Sequence, residues 1–72
     1  MTLEDAKKIV EAAERDGVDL QIREGYAGRG MRDETTAGVV GNYRLIVGYA
    51  KVAGLNPNGF QWDSMGFRSI VY

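Results

Sequence analysis

Residues 3–24, LEDAKKIVEAAERDGVDLQIRE, decide the fold, because the spacing of their apolar side chains changes once along the stretch. Before Gly17 the apolar residues recur every three or four positions, which is typical of an amphipathic helix. After Gly17 they alternate with polar residues, which is typical of a strand with one buried face. The stretch therefore predicts a helix over residues 3–16 and a strand over residues 18–24.

The ends of this first helix carry their own signals. Thr2 and Asp5 form a variant capping box, and Gly17 stands where a helix commonly ends in a residue of left-handed conformation. Both signals agree with the helix that the apolar spacing predicts.

The chain then continues with a second strand and a second helix. The β-prone run Thr35–Val40 predicts a strand that pairs with the first one as an antiparallel hairpin. Residues 43–53 fit the spacing of either a strand or a helix. Because Asn42 is a good N-cap and Gly54-Leu55 fits a Schellman ending, we expect a helix there.

The last part of the chain predicts two further strands. Asn56-Pro57-Asn58-Gly59 is a strong turn signal, and short strands are expected over residues 60–62 and 68–72, joined by a turn at Asp63-Ser64-Met65-Gly66. The element order α-β-β-α-β-β predicts an α+β fold in which two helices pack on an antiparallel sheet of three to four strands. We expect residues 1–72 to form a single domain.

Composition excludes most kinds of enzyme site. The 72 residues include no Cys and no His, which removes disulfides, thiolate nucleophiles, histidine bases and the usual ligands of zinc and iron. We therefore expect no metal, no cofactor and no catalytic activity. The net charge of −1 argues against a nucleic-acid partner. No apolar run is long enough to span a membrane and no signal peptide fits, so a cytoplasmic location is expected.

The small size of the chain bears on its assembly. A domain of this length buries only about 60% of its unfolded surface, and without disulfides or metals the remaining common route to stability is oligomerisation. Six of the seven aromatic residues lie in the second half of the chain, where charge is sparse. We expect a homo-oligomer, with a tightly packed monomer as the alternative.

The strongest candidate for a binding site is residues 24–33, EGYAGRGMRD, which are expected to form a long hairpin loop. Glycine backbones can bring consecutive amides together around an anion, and arginine side chains add charge-assisted hydrogen bonds. A tyrosine offers a stacking surface and a methionine fills space around it. The alternative is an ordinary solvated loop. The candidate ligand residues are Tyr26, Gly28, Arg29, Gly30, Met31 and Arg32.

A second candidate site is the expected turn at Asp63 and Ser64. These side chains are predicted to approach the arginine loop, from the same subunit or a neighbouring one, and either to orient the arginines or to accept a hydrogen bond from a ligand. The alternative is that they only stabilise their own turn. A nucleophilic role for Ser64 is excluded, because no base is available to activate it.

Both candidate sites resemble a pattern found in small uncharacterised bacteriophage proteins. Tyr26–Met31 is similar to a Tyr-Ser-Gly-Arg-Gly-Met loop, with Ala27 in place of the serine. Asp63-Ser64-Met65-Gly66, followed by Ile70-Val71-Tyr72, is similar to the C-terminal part of those proteins. The resemblance implies a phage-encoded accessory protein that antagonises host defence, similar to oligomeric proteins that sequester cyclic nucleotide or cyclic ADP-ribose signals.

Taken together, these features favour a non-enzymatic homo-oligomer that binds an anionic, nucleotide-like ligand through the arginine and glycine loop. The alternative is a protein-binding inhibitor that docks a host defence effector through its sheet edge and aromatic surface. The first reading predicts that loss of Arg29 removes ligand binding. The second predicts that the purified protein binds no nucleotide.

Overall fold

The structure, a computed structural model, describes residues 1–72 and contains two helices and one four-stranded antiparallel sheet. The predicted α+β class and the order α-β-β-α-β-β are confirmed. The elements are α1 (Leu3–Arg15), β1 (Gln21–Tyr26), β2 (Arg32–Gly41), α2 (Tyr43–Val52), a 3-10 turn (Pro57–Gly59), β3 (Trp62–Met65) and β4 (Arg68–Val71). Neither helix is long and apolar enough to cross a membrane.

Both helices begin at the predicted caps. The Thr2 hydroxyl accepts a hydrogen bond from the Asp5 N–H at 3.1 Å, and the Asn42 side chain accepts one from the Leu45 N–H at 3.2 Å. Such caps satisfy backbone donors that have no partner inside the helix. Residues 43–52 are therefore helical, as the end signals predict.

Both helices also end in a Schellman motif. After α1, Gly17 has φ +74° and the Val18 N–H donates to the Ala13 carbonyl at 3.0 Å. After α2, Gly54 has φ +82° and the Leu55 N–H donates to the Ala50 carbonyl at 2.9 Å. Glycine adopts this left-handed conformation without the steric penalty that other residues incur.

The strands lie in the order β1-β2-β4-β3, and every neighbouring pair is antiparallel. β2 and β4 are central, and β1 and β3 form the edges. Tyr72 extends the β3–β4 ladder, because its backbone exchanges two hydrogen bonds of 2.8 Å with that of Gln61. The C-terminal strand is thus held in the sheet, as expected.

The helices cover one face of the sheet and form the main core with it. Small side chains on the helices and on the sheet let the two layers pack closely. Gly41 leaves room for Leu20, because a Cβ at Gly41 would lie 2.5 Å from the Leu20 side chain. The core residues are Ala6, Ile9, Ala13, Leu20, Ala37, Val39, Ile46, Ala50 and Val71.

The opposite face of the sheet carries no helix, and we call it the open face. Because side chains alternate across a strand, the neighbours of the core residues Val39 and Val71 point to this side. Ile70 is nevertheless fully buried there, and Val40 is 9% exposed. The open face comprises Gln21, Arg23, Gly38, Val40, Asp63, Met65, Arg68, Ile70 and Tyr72, together with the ring of Tyr26.

The predicted bounds of the first hairpin are wrong. β1 begins at Gln21 rather than at residue 18, because Val18 completes the ending of α1 and Leu20 packs into the core without a ladder partner. The loop between β1 and β2 is residues 27–31, within the usual two to five residues for a hairpin, and is not long. Backbone pairing extends both strands into the glycine-rich segment.

The predicted turn at Asp63-Ser64-Met65-Gly66 is also misplaced. Asp63, Ser64 and Met65 belong to β3, and the two-residue turn is Gly66-Phe67, with Gly66 at φ +65°. A glycine at the first central position is typical of a type II′ hairpin turn. Of the expected strand over residues 60–62, only Trp62 lies in β3.

Candidate functional site

A bulge in the β1–β2 ladder places the aromatic ring of the candidate site on the open face. Glu24 pairs with Ala37, whereas Tyr26 pairs with Arg32, so four residues of β2 lie opposite Gly25 alone. Gly25 has φ +81°, which reverses the alternation of side chains at this point. The Tyr26 ring consequently lies on the same side of the sheet as Arg23, although plain alternation would separate them.

Tyr26 reaches across the sheet to the opposite edge strand. Its hydroxyl donates a hydrogen bond of 2.5 Å to Oδ2 of Asp63, and the Tyr72 hydroxyl lies 3.5 Å from Oδ1 of the same carboxylate. The two tyrosine rings meet edge to face, with centroids 5.2 Å apart. We call Tyr26, Asp63 and Tyr72 the tyrosine–carboxylate cluster; it links β1, β3 and the end of β4 and covers Ile70.

The glycine-rich loop packs on this cluster. Gly28 is buried with φ +126°, and a Cβ there would lie 3.3 Å from the Tyr72 ring. Only glycine combines this backbone conformation with such a close approach. The loop is closed by a 3.0 Å hydrogen bond from the Met31 N–H to the Gly28 carbonyl.

Three shallow clefts meet beside the cluster, and Arg23 lines all of them. The first, about 240 Å³, lies between β1 and the loop and includes Gly30 and Arg32. The second, about 280 Å³, is lined by Arg23, Tyr26, Arg29, Asp63, Ser64 and Met65. The third, about 450 Å³, extends along the open face to Arg68. Arg23 of β1 and Arg29 of the loop thus lie beside the aromatic cluster, and Arg68 of β4 lies in the adjoining third cleft.

These arginine side chains make few polar contacts with the rest of the chain. The Arg23 guanidinium lies 5.8 Å from the centre of the Tyr26 ring, a cation–π contact. None of the side-chain hydrogen bonds of the protein involves an arginine. Arginine presents a rigid fork of donors that suits phosphate and carboxylate groups, so these side chains are available to an anion.

The cluster changes the ionisation of its tyrosines. The hydrogen bond to Asp63, together with desolvation, raises the pKa of Tyr26 above its ordinary value of 10.0. Desolvation, with a further effect of the Asp63 charge, raises the pKa of Tyr72 above the same value. Both hydroxyls therefore stay protonated and can donate to Asp63 at neutral pH.

The structure brings together several of the residues predicted for the site. Tyr26, Arg29, Asp63 and Ser64 line the second cleft, so Asp63 and Ser64 lie near Arg29 of the loop within one subunit. Gly28, Gly30, Met31 and Arg32 line the first cleft instead. Met31 is 64% exposed, so the expectation that it fills space around Tyr26 is wrong.

Sequence reasoning missed three residues of the site: Arg23, Met65 and Tyr72. A signal existed for Arg23, because its alternation with Ile22 already assigned it to the solvated face of β1. Met65 and Tyr72 reach the site through pairings between distant strands, which leave no local signal.

A separate set of apolar side chains is exposed on the β3 side of the molecule. Phe67, at the tip of the β3–β4 turn, is fully exposed, and Trp62 on the edge strand is 52% exposed. Trp62 packs against Tyr43 at the start of α2, with ring centroids 5.7 Å apart. Trp62 and Tyr43 are therefore outside the core.

The chain contains no group of three or more Asp or Glu side chains placed to hold a metal ion.

The comparisons with known proteins identify no relationship that bears on this geometry. No protein-family model, no curated protein and no solved structure matches the chain.

Proposed function

We propose that this chain is a non-catalytic binding protein that takes a small anionic, nucleotide-like ligand on its open face. The ligand occupies the first and second clefts, which adjoin at Arg23 and Tyr26. Its phosphate contacts Arg23 and Arg29, and the backbone around Gly28 and Gly30 borders the same space. The tyrosine–carboxylate cluster forms the floor.

The observation that supports this proposal is the convergence of unpaired arginines on a preformed aromatic surface. Arg23 and Arg29 come from a strand and a loop, yet both line the second cleft with Tyr26. Asp63 is the one acid in that cleft, so its lining carries a net positive charge. Charge-assisted hydrogen bonds from arginine are among the strongest polar contacts a shallow site can offer.

The proposal includes a homo-oligomer acting as a phage-type accessory protein against host defence. The resemblance of the loop and of the Asp63-Ser64 segment to bacteriophage proteins supports the biological role. The short chain and the exposed Trp62 and Phe67 support self-association. A shallow cleft gains affinity when a second subunit closes it over the ligand.

The proposal is tested by native mass spectrometry of the purified protein, followed by calorimetric titration with nucleotides. We expect an oligomer that carries a nucleotide-mass adduct or takes up added nucleotide. Arg29→Ala should weaken binding by at least about tenfold, since a charge-assisted hydrogen bond contributes about 1.5–3 kcal/mol. Arg15→Ala, on the helix side, is the matched control and should bind normally. Unchanged affinity in Arg29→Ala contradicts the proposal.

A second candidate function is a protein-binding inhibitor, and full exposure of Phe67 at a turn tip favours it. An exposed aromatic side chain beside an unpaired strand edge is a common element of protein interfaces. In this case one host protein should cross-link to the wild type and to Arg29→Ala but not to Phe67→Ser. If that same host protein still cross-links to Phe67→Ser, this candidate is wrong.

A further inference from the structure

We infer that the ligand of the open face presents two adjacent hydrogen-bond donors to Asp63, as the edge of a guanine base does. The inference rests on the proposed function and specifies its ligand class. It depends on the hydrogen-bond acceptor positions of Asp63 that the tyrosine–carboxylate cluster leaves free.

A carboxylate has two oxygens and about four positions at which it can accept a hydrogen bond. In Asp63 the Tyr26 hydroxyl occupies one position on Oδ2 and the Tyr72 hydroxyl one on Oδ1. One position on each oxygen is left, and Asp63 lines the second cleft with only part of its surface exposed. The hydrogen bond from Tyr26, with the Tyr72 hydroxyl 3.5 Å from the other oxygen, restricts the orientation of the carboxylate, so its remaining acceptors are preorganised.

A ligand that satisfies both remaining acceptors needs two donors on one edge. Guanine offers its ring N1–H and its exocyclic N2 amine side by side, whereas adenine places an acceptor beside its amine. Adenine would therefore put a lone pair against the carboxylate and leave one acceptor unpaired, which is unfavourable in a partly desolvated site. Arg29 lines the same cleft as Asp63, so one nucleotide can place its base at the carboxylate and its phosphate at the guanidinium.

Calorimetric titration of the unaltered protein with guanosine, inosine and adenosine 5′-monophosphates tests this inference. We expect the guanine nucleotide to bind about 10- to 100-fold more tightly than the adenine nucleotide, the difference of about one charge-assisted hydrogen bond. The inosine nucleotide keeps N1–H and lacks the N2 amine, so its affinity should lie between the two.

An Asp63→Asn variant provides the complementary measurement. An amide has only one acceptor oxygen, and its NH2 group is a donor. The preference for guanine should therefore fall below about threefold while binding of the phosphate persists. Asp19→Asn, the same chemical change at an exposed carboxylate outside the clefts, should keep the full preference. Equal affinity of the wild type for the guanine and adenine nucleotides overturns this inference and leaves the proposed function standing. Failure of all three nucleotides to bind overturns both.

Discussion

At the scale of single residues, the open face depends on one glycine in the centre of the sheet. A Cβ at Gly38 would lie 2.6 Å from Cγ1 of Ile70, closer than atoms in a folded protein tolerate. Ile70 is fully buried although no helix covers it, and both Ile70 and Tyr26 occupy the space that a side chain at Gly38 would need. The site therefore rests on a small second core.

Gly38→Ala should lower the free energy of unfolding by about 1–3 kcal/mol, since overpacking in a tight core forces side chains from their preferred conformations. Urea unfolding followed by far-UV circular dichroism measures the change. Because Tyr26 lies 3.4 Å from the same position, nucleotide affinity should fall as well. Wild-type stability in this variant would show that Ile70 has room to move.

The hydrogen bond between Tyr26 and Asp63 predicts a dependence on alkaline pH. A tyrosine whose pKa is higher in the folded state stabilises the protein below its unfolded value, near pH 10.0, and this contribution is lost as pH rises through the folded pKa. We expect Tyr26→Phe to lose less stability than the wild type between pH 9 and pH 12, a range about the ordinary tyrosine pKa of about 10.

The measurement is urea unfolding at each pH, with the phenol absorbance near 295 nm as a direct record of ionisation. Tyr43→Phe is a suitable control because its ring stacks on Trp62 and lies outside the cluster. Identical pH profiles for the wild type and Tyr26→Phe contradict the prediction.

At the scale of elements, the helices are encoded locally and the strands are not. Caps and Schellman glycines act within a few residues, so Thr2, Gly17, Asn42 and Gly54 correctly predict where α1 and α2 begin and end. Strand bounds depend on partners far along the chain. The bulge at Gly25 exists only because β2 supplies the opposing backbone, so half of the segment expected to be loop lies in strands.

Gly48, within α2, tests whether the stability of this helix follows local rules. Nothing lies within 4 Å of the position that a Cβ at Gly48 would take, and Gly48 is exposed. Gly48→Ala should therefore stabilise the protein by about 0.5–1 kcal/mol, because alanine loses less backbone entropy in a helix. Chemical denaturation measures it. A loss of stability would indicate that another molecule or subunit packs against this part of α2.

At the scale of the whole molecule, α1 is acidic and several arginines gather beside the clefts. Residues 1–19 carry six acids and three bases, a net charge of −3, and they include all of α1. Arg23, Arg29 and Arg68 lie around the three clefts. A net charge near zero thus conceals an arginine-rich face, which suits a small anion better than an extended polyanion.

A ligand that binds only the folded state stabilises it, so ligand binding should raise the stability of the whole molecule. A ligand present at about 100 times its Kd stabilises the folded state by about 2.7 kcal/mol, and in a domain of this size 1 kcal/mol shifts Tm by about 4–8 °C. We expect Tm to rise by about 10–20 °C in thermal unfolding with a guanine nucleotide. Arg15→Ala should show the same rise. Arg29→Ala, which binds at least about tenfold more weakly, should show at most about half of it. An equal rise in Arg29→Ala would place the ligand elsewhere.

The sequence by itself determined the class of fold, the order of the elements, both helices with their ends, and the nature of the candidate ligand groups. These features follow from apolar spacing, capping and composition, which act over a few residues. Only the tertiary structure decided which groups share a surface. The bulge at Gly25 turns Tyr26 to the open face, and the β3–β4 pairing carries Asp63 to it, because strand register is set by contacts between residues far apart in the chain.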